Sequence, residues 1–343
     1  MSLSKPNDRR AAVNGLRRLI FASAALLLLF AAAAPSSFGQ TPGRKLIVTA
    51  AGARLRERPE TAAAEVGRLT LGAVVDELER SAERSKVGAS EDFWHLVSAP
   101  GGARGWVFGG LVAPFDPAGR DALYLKLANE RLANTSATFA DLSELVRFLD
   151  RATGEVKSRN ALAELELARL VALARSLAAM PFESMNNPPY KSWTDERDQE
   201  IVYSEPAGQW YVSSKVLWDL QRKYRDLPVA ERIAWEASQT PLPGECEGYL
   251  PCYIYKEGET NGRYLKLYPR GAHADQALSK LAESLGYIDE DLRGGNPVYE
   301  VPREDRANFR RSLAQLRAQL APVPAAKKAR VLGQLGRIAR RFP

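Results

Sequence analysis

A chain of 343 residues, 45% apolar and 26% charged, has the balance of ordinary globular protein and room for two or three domains. Two cysteines and two histidines leave too few ligands for a zinc cluster or a persuasive Cys–His nucleophile. The formal net charge of +7 falls to +3 once residues 1–39, with five bases and one acid, are set aside. Much of the basic balance thus belongs to that segment, and with no recognisable nucleic-acid motif nucleic acid is a poor expected partner.

The first segment reads as an export signal. Arg9, Arg10, Arg17 and Arg18 precede an uncharged run from Leu19 to Ala34, and small residues follow in Pro35-Ser36-Ser37-Phe38-Gly39. A basic leader and a sixteen-residue apolar core make a signal peptide over 1–39. The core is shorter than the roughly 20 residues of a spanning helix. No cysteine follows it, so a lipid-modified terminus is not expected. The protein is expected to be periplasmic or secreted after cleavage.

From Leu46 to Phe115 apolar runs of strand length recur: Leu46–Val48, Val66–Leu69, Val74–Leu78, Phe93–Val97 and Gly105–Phe108. Five short strands in about seventy residues suit a closed barrel, which leaves no exposed edge. Within this stretch Ala53-Arg54-Leu55-Arg56-Glu57-Arg58-Pro59, Val66-Gly67-Arg68-Leu69, Leu71-Gly72, Trp94-x-x-Val97 and Gly105-Trp106-Val107 recur in order. The run resembles the bacterial SH3-like (SH3b) domain, with Arg58 where that family has Gly and Ala53 where it has a larger apolar residue. The resemblance implies a ligand that is cell-wall peptide, peptidoglycan or an envelope protein. Phe93, Trp94, Trp106 and Phe108 supply the barrel core and binding face, and strand alternation keeps them from all facing one way. Arg54, Arg56 and Arg58 are expected on the face, with the tryptophans mainly structural. His95, between Trp94 and Leu96, is expected to face solvent on the opposite side of its strand.

Beyond Pro114-Phe115-Asp116-Pro117 the spacing turns helical. Phe139, Leu142, Leu145, Val146 and Leu149 make one helical stripe, with Thr138 and Asp141 in capping-box positions. Asn160 to Met180 reads as a long helix ending at Pro181, paired with the first through Gly154. Phe182 to Pro206 has no period and is expected to be an irregular aromatic stretch. Gln209 to Arg225 reads as a helix burying Trp210, Leu217, Leu220 and Tyr224, and Pro228 to Ser238 as a short one.

Pro241 to Cys252 carries three prolines and two glycines and is expected to be irregular throughout. It holds both cysteines, and in an oxidising compartment Cys246 and Cys252 should form a disulfide. Tyr264 to Leu278, with Tyr268-Pro269-Arg270-Gly271 and small Ala274 and Ala277, resembles the turn of tetratricopeptide-like repeats; its second helix is expected to run to Gly286. The tail, 301–343, reads as a basic helical hairpin: from Pro302 on it has eleven Arg or Lys against two acids. It should either pack on the acidic body or contact an anionic surface.

No nucleophile or metal constellation stands out, so no catalytic residue, metal or cofactor is assigned. Glu196, Glu200 and Glu205 in the aromatic stretch, and Glu245 and Glu247 beside Cys246, read as solvated carboxylates. The expected architecture is multidomain: a small all-β SH3-like barrel over 40–116, then an α-helical domain of antiparallel helix pairs over 117–343. The expected function is non-enzymatic binding or scaffolding in the cell envelope. Ligand contacts are assigned to Arg54, Arg56, Arg58, Trp94, Trp106 and Phe108. The alternative is a carboxylate-dependent cell-wall hydrolase that uses the barrel for targeting.

Overall fold

A computed structural model describes residues 43–294 and 297–343. The expected signal peptide lies outside the described residues. Among those described, no helix is long and apolar enough to cross a membrane.

The β region holds seven strands, where five were expected: β1 (Lys45–Val48), β2 (Ala53–Arg56), β3 (Glu65–Leu69), β4 (Val74–Val87), β5 (Ser90–Ser98), β6 (Arg104–Phe108) and β7 (Val112–Pro114). They form one antiparallel sheet in the order β3-β2-β6-β5-β4-β1-β7. The sheet curls into a half-barrel. Among the described residues no pairing joins its edges β3 and β7, so the expected closed barrel is an open one. Its concave side buries Leu46, Val48, Leu55, Leu69, Val75, Val97 and Val107. The unanticipated β2 alternates as a half-buried strand must: Ala53 and Leu55 are buried while Arg54 is exposed. β4 runs nine residues past Leu78 because backbone pairing with β5, broken by two bulges, carries its charged end without an apolar stripe.

The helical region comprises α1 (Arg120–Ala133), α2 (Phe139–Ala152), α3 (Arg159–Ala178), α4 (Tyr190–Asp195), α5 (Ser214–Lys223), α6 (Val229–Gln239), α7 (Leu250–Glu257), α8 (Arg263–Leu267), α9 (Ala274–Asp291), α10 (Arg306–Gln319) and α11 (Ala325–Arg341). α2 begins with the expected capping box: Thr138 Oγ1 accepts the Asp141 N–H, and Asp141 Oδ2 accepts the Thr138 N–H at 3.0 Å. α3 is the centre of the region, with α1, α2 and α6 packed on it.

Four expectations change here. Residues 182–206, expected to be irregular, hold the short helix α4 and a strand at Ile201–Ser204, because Trp193 is buried and Ile201 to Ser204 find a partner strand. Residues 209–212 are a strand, β9 (Gln209–Val212), paired with β8 (Ile201–Ser204), and the helix begins only at Ser214. Aromatic and β-branched Trp-Tyr-Val suits a strand, and Trp210 stays half-buried against Tyr203 at 5.2 Å. The cysteine segment is not irregular to its end, because α7 starts at Leu250. Pro251 sits in its first turn, where no intrahelical N–H is required. α9 continues through Gly286 to Asp291, its stripe extended by Ile288.

The disulfide Cys246–Cys252 is formed, with the Cα atoms 5.4 Å apart. The basic tail packs on the body. Phe309, Leu313, Leu316, Val331, Leu335 and Ile338 join the main core. Arg337 bonds Asp289 at 2.9 Å, and Lys327 bonds Asp275 at 2.6 Å.

Half-barrel and helices share a seam. Ile47 and Leu71 leave the barrel interior to enter the helical core beside Phe148. Glu144 Oε1 on α2 accepts the N–H groups of Leu71 at 2.6 Å and Gly52 at 3.2 Å. Arg151 donates to the Leu71 carbonyl at 2.9 Å, and Arg131 donates to that of Thr49.

Candidate functional site

The half-barrel brings four of the six expected contact residues around one cleft of about 210 Å3. Arg54 and Arg56 come from β2, Trp94 from β5 and Phe108 from β6; Gly52, Thr61, Val87 and Leu111 complete the wall. The register explains the convergence. Trp94 faces Phe108 across the β5–β6 ladder, and β2 joins β6 through Arg56 and Trp106. Residues 94 and 108 share the side of the sheet opposite Val97 and Val107.

Trp94 and Phe108 form the floor. They meet edge to face at 5.6 Å, and Trp94 is only 3% exposed. The Trp94 indole N–H is buried and has no hydrogen-bond partner among the described residues. A buried donor left unpaired costs about 1–3 kcal/mol.

The arginines form the rim. Arg56 donates to the Ala63 carbonyl at 2.9 Å, which pins the β2–β3 loop. Arg54 lies 3.3 Å from Glu65, whose carboxylate also accepts from Arg68 at 2.7 Å. The Arg68 hydrogen bond, with charge from Arg68, Arg54 and Arg56, lowers the Glu65 pKa. Two arginines therefore share one carboxylate, leaving positive charge at the mouth of the cleft.

The other two expected residues do not line it. Arg58 is exposed and pairs with Glu60 at 3.0 Å. Trp106 is half-buried two residue pairs along the ladder, opposite Leu96 and outside the cleft. Phe93 lies under Arg80, whose guanidinium carbon is 4.5 Å from the ring centroid. His95 corrects the sequence reading: it is 8% exposed, with Nδ1 2.7 Å from Glu77 Oε1. Glu77 on the adjoining β4 supplies the partner that makes burial of the ring tolerable. Thr61, Val87 and Leu111 were missed because they come from a loop, a hairpin end and a turn that carry no motif.

The carboxylates of residues 182–206 are placed differently from one another. Glu200 grips Arg169 through both oxygens, at 2.6 and 2.7 Å, and Arg169 also reaches Asp150. Burial disfavours the Arg169 charge, but the hydrogen bonds to Glu200 and Asp150 outweigh it and hold its pKa above the ordinary value. Glu200 is thus an anchor for α3, not a free carboxylate. Glu196 stands 4.0 Å from Arg147, and Glu205 is exposed. Among the described residues, no three His, Cys, Asp or Glu side chains are placed to hold a metal ion.

A scan of protein-family models finds no match to this chain, and neither does a search of curated proteins.

Proposed function

We propose that this chain is an exported envelope protein whose SH3-like half-barrel binds cell-wall peptide through the cleft between Arg54, Arg56, Trp94 and Phe108. The observation that carries the reading is the convergence of those four residues, with an edge-to-face aromatic pair in the floor and arginines at the mouth. That pattern suits a ligand presenting carbonyl or carboxylate acceptors beside an apolar group. A volume of about 210 Å3 is below the roughly 300 Å3 at which sites for whole small molecules begin. The cleft therefore takes one end or one side chain of a longer ligand. The Cys246–Cys252 disulfide is compatible with an oxidising compartment.

The protein acts by binding and not by catalysis, and the helical region is the platform that holds the half-barrel. Exposed Arg310, Arg311, Arg330, Arg340 and Arg341 add a weak contact to anionic surfaces that falls steeply with salt.

The test is sedimentation of the full chain with purified peptidoglycan at low and raised salt, and titration with short acidic wall peptides. Arg54→Ala and Trp94→Phe should each weaken binding by about fivefold or more, with Arg58→Ala unchanged; about 1 kcal/mol separates these outcomes. Binding that both variants leave intact would remove the cleft from the function. A clearing zone on cell-wall zymograms would favour the hydrolase reading. Glu200→Gln is a poor probe of it, because the change also releases Arg169.

A further inference from the structure

A second cavity, of about 310 Å3, opens between α1, α3 and α6. The helical spacing of its wall is regular. Glu164, Leu167, Ala168 and Val171 fall on one face of α3, and Arg232, Trp235 and Glu236 on one face of α6.

One end is rigid and aromatic. Trp235 stacks on His273 with ring centroids 4.3 Å apart and planes 10° apart. His273 is held there by the turn that resembles a repeat motif. Its N–H donates to Tyr264 Oη at 3.2 Å, and Tyr264 Oη donates to Glu231 Oε1 at 2.9 Å. Gly271 leaves room for the Glu231 carboxylate in that turn, since a Cβ there would lie 2.3 Å from Glu231 Oε1 and push it aside. Glu231, Tyr264 and Gly271 thus position one of the chain's two histidines over the tryptophan.

The electrostatics are uneven. Arg232 is tied to Glu164 at 2.6 Å. Glu236 is half-buried, and its carboxylate takes no hydrogen bond or ion pair among the described residues. Burial raises the Glu236 pKa, against the opposing charges of Arg232 and His273. A carboxylate partly withdrawn from water without a partner is unfavourable, and a positive ligand would relieve it. An anion would meet Glu236 and Glu164 with one committed arginine against them. A sugar would find one face of Trp235 covered by His273, while Lys280 Nζ also approaches the ring, 5.6 Å from its centroid.

We propose that this cavity binds a primary ammonium group on a short apolar stem, with Glu236 as the counter-ion and Leu132, Leu167 and Val171 as the seat for the stem. The volume fits a small amine or one lysine side chain, at the lower end of ligand-site sizes. The assignment stands apart from the half-barrel cleft and shares no residue with it.

The test is calorimetric titration of the full chain with n-pentylammonium chloride, Nα-acetyl-lysinamide and, as a neutral control, 1-pentanol. Pentylammonium should bind, and pentanol should bind at least about tenfold more weakly. Glu236→Gln should weaken the amine by about tenfold or more, and Val171→Phe, which fills the seat, should abolish binding. Melting temperatures of both variants separate loss of the site from loss of the fold. Binding of acetyl-lysinamide as well assigns a lysine side chain as an admissible source; its failure beside pentylammonium assigns a free amine. Acid should weaken binding as Glu236 is protonated, and because Glu164, Arg232, His273 and Lys280 also face the site, the Glu236 variant decides. Equal binding of amine and alcohol, an unaffected Glu236→Gln variant, or no binding of either amine at about 10 mM overturns the proposal.

Discussion

Glu144 offers the sharpest test of how the half-barrel is attached. One oxygen accepts two backbone N–H groups, from Leu71 at 2.6 Å and Gly52 at 3.2 Å, in a half-buried seam. A hydrogen bond to a charged group contributes about 1.5–3 kcal/mol when buried, and partial exposure places these two near the lower end. Glu144→Ala removes both and should destabilise the protein by about 2–4 kcal/mol. Glu144→Gln keeps an oxygen in place without the charge and should cost about half as much. Urea unfolding followed by tryptophan fluorescence and far-UV circular dichroism gives the values. The two probes should coincide in the parent protein and separate in Glu144→Ala, as the half-barrel loosens first. A loss under about 0.5 kcal/mol for Glu144→Ala, with coincident probes, would show that apolar contact alone holds the seam.

Three further outcomes are expected. Gly72 has φ +76°, and a Cβ there would lie 2.1 Å from Cδ2 of the buried Phe148 ring; Gly72→Ala should cost about 2–4 kcal/mol in urea unfolding, and a loss under 1 kcal/mol would mean that the ring moves aside freely. Reduction of Cys246–Cys252 should lower stability by about 2 kcal/mol, while the non-reduced protein should show no titratable thiol after denaturation. Burial raises the pKa of Glu257, with its hydrogen bonds to Asn261 and Ser284 opposing, so its contribution is fully present below the unfolded pKa and lost as pH rises through the folded one. Glu257→Gln should therefore melt higher than the parent at neutral pH, with the difference closing toward pH 4 (about the unfolded carboxylate range); a gap that does not change with pH would refute this.

The parts of the fold legible in the sequence are those where side-chain chemistry repeats at the period of the backbone. The stripe from Phe139 to Leu149 and its Thr138 cap are of this kind, as are Phe309 to Leu320 and the two cysteines. β2 carried its alternation in Ala-Arg-Leu-Arg but is four residues long, and its arginines read as loop residues. β4 past Leu78 is held by backbone bonds to β5, which leave no mark on side-chain spacing. Gln209 to Val212 fitted a helix because Trp210 and Leu217 also stand seven residues apart; only the pairing with β8 distinguishes the two periods. Arg54, Arg56, Trp94 and Phe108 could be named as a pool, whereas their meeting around one cleft depends on strand order. Trp235, Glu236 and His273 were hidden for the same reason. Their proximity is made by α6 and the turn before α9, which are more than thirty residues apart.

The cleft and the seam share one loop. Gly52 lines the cleft, and its N–H is held by Glu144, while the Thr49 carbonyl three residues earlier is held by Arg131. Apolar contact at Ile47 and Leu71 supplies attraction but tolerates sliding, because the hydrophobic effect is non-directional. The hydrogen bonds fix the loop's position, and with it one wall of a site whose floor is rigid aromatic packing. Glu144 does not line the cleft. Even so, under the proposed function Glu144→Ala should weaken binding of the wall-peptide probe by about threefold or more at a temperature where the variant remains folded, since an unpinned wall must be ordered again on binding. Arg151→Ala, which frees the Leu71 carbonyl outside the 49–52 loop, should lower stability with a smaller effect on binding. If both variants bind as the parent does, the helical region carries the half-barrel without shaping its site.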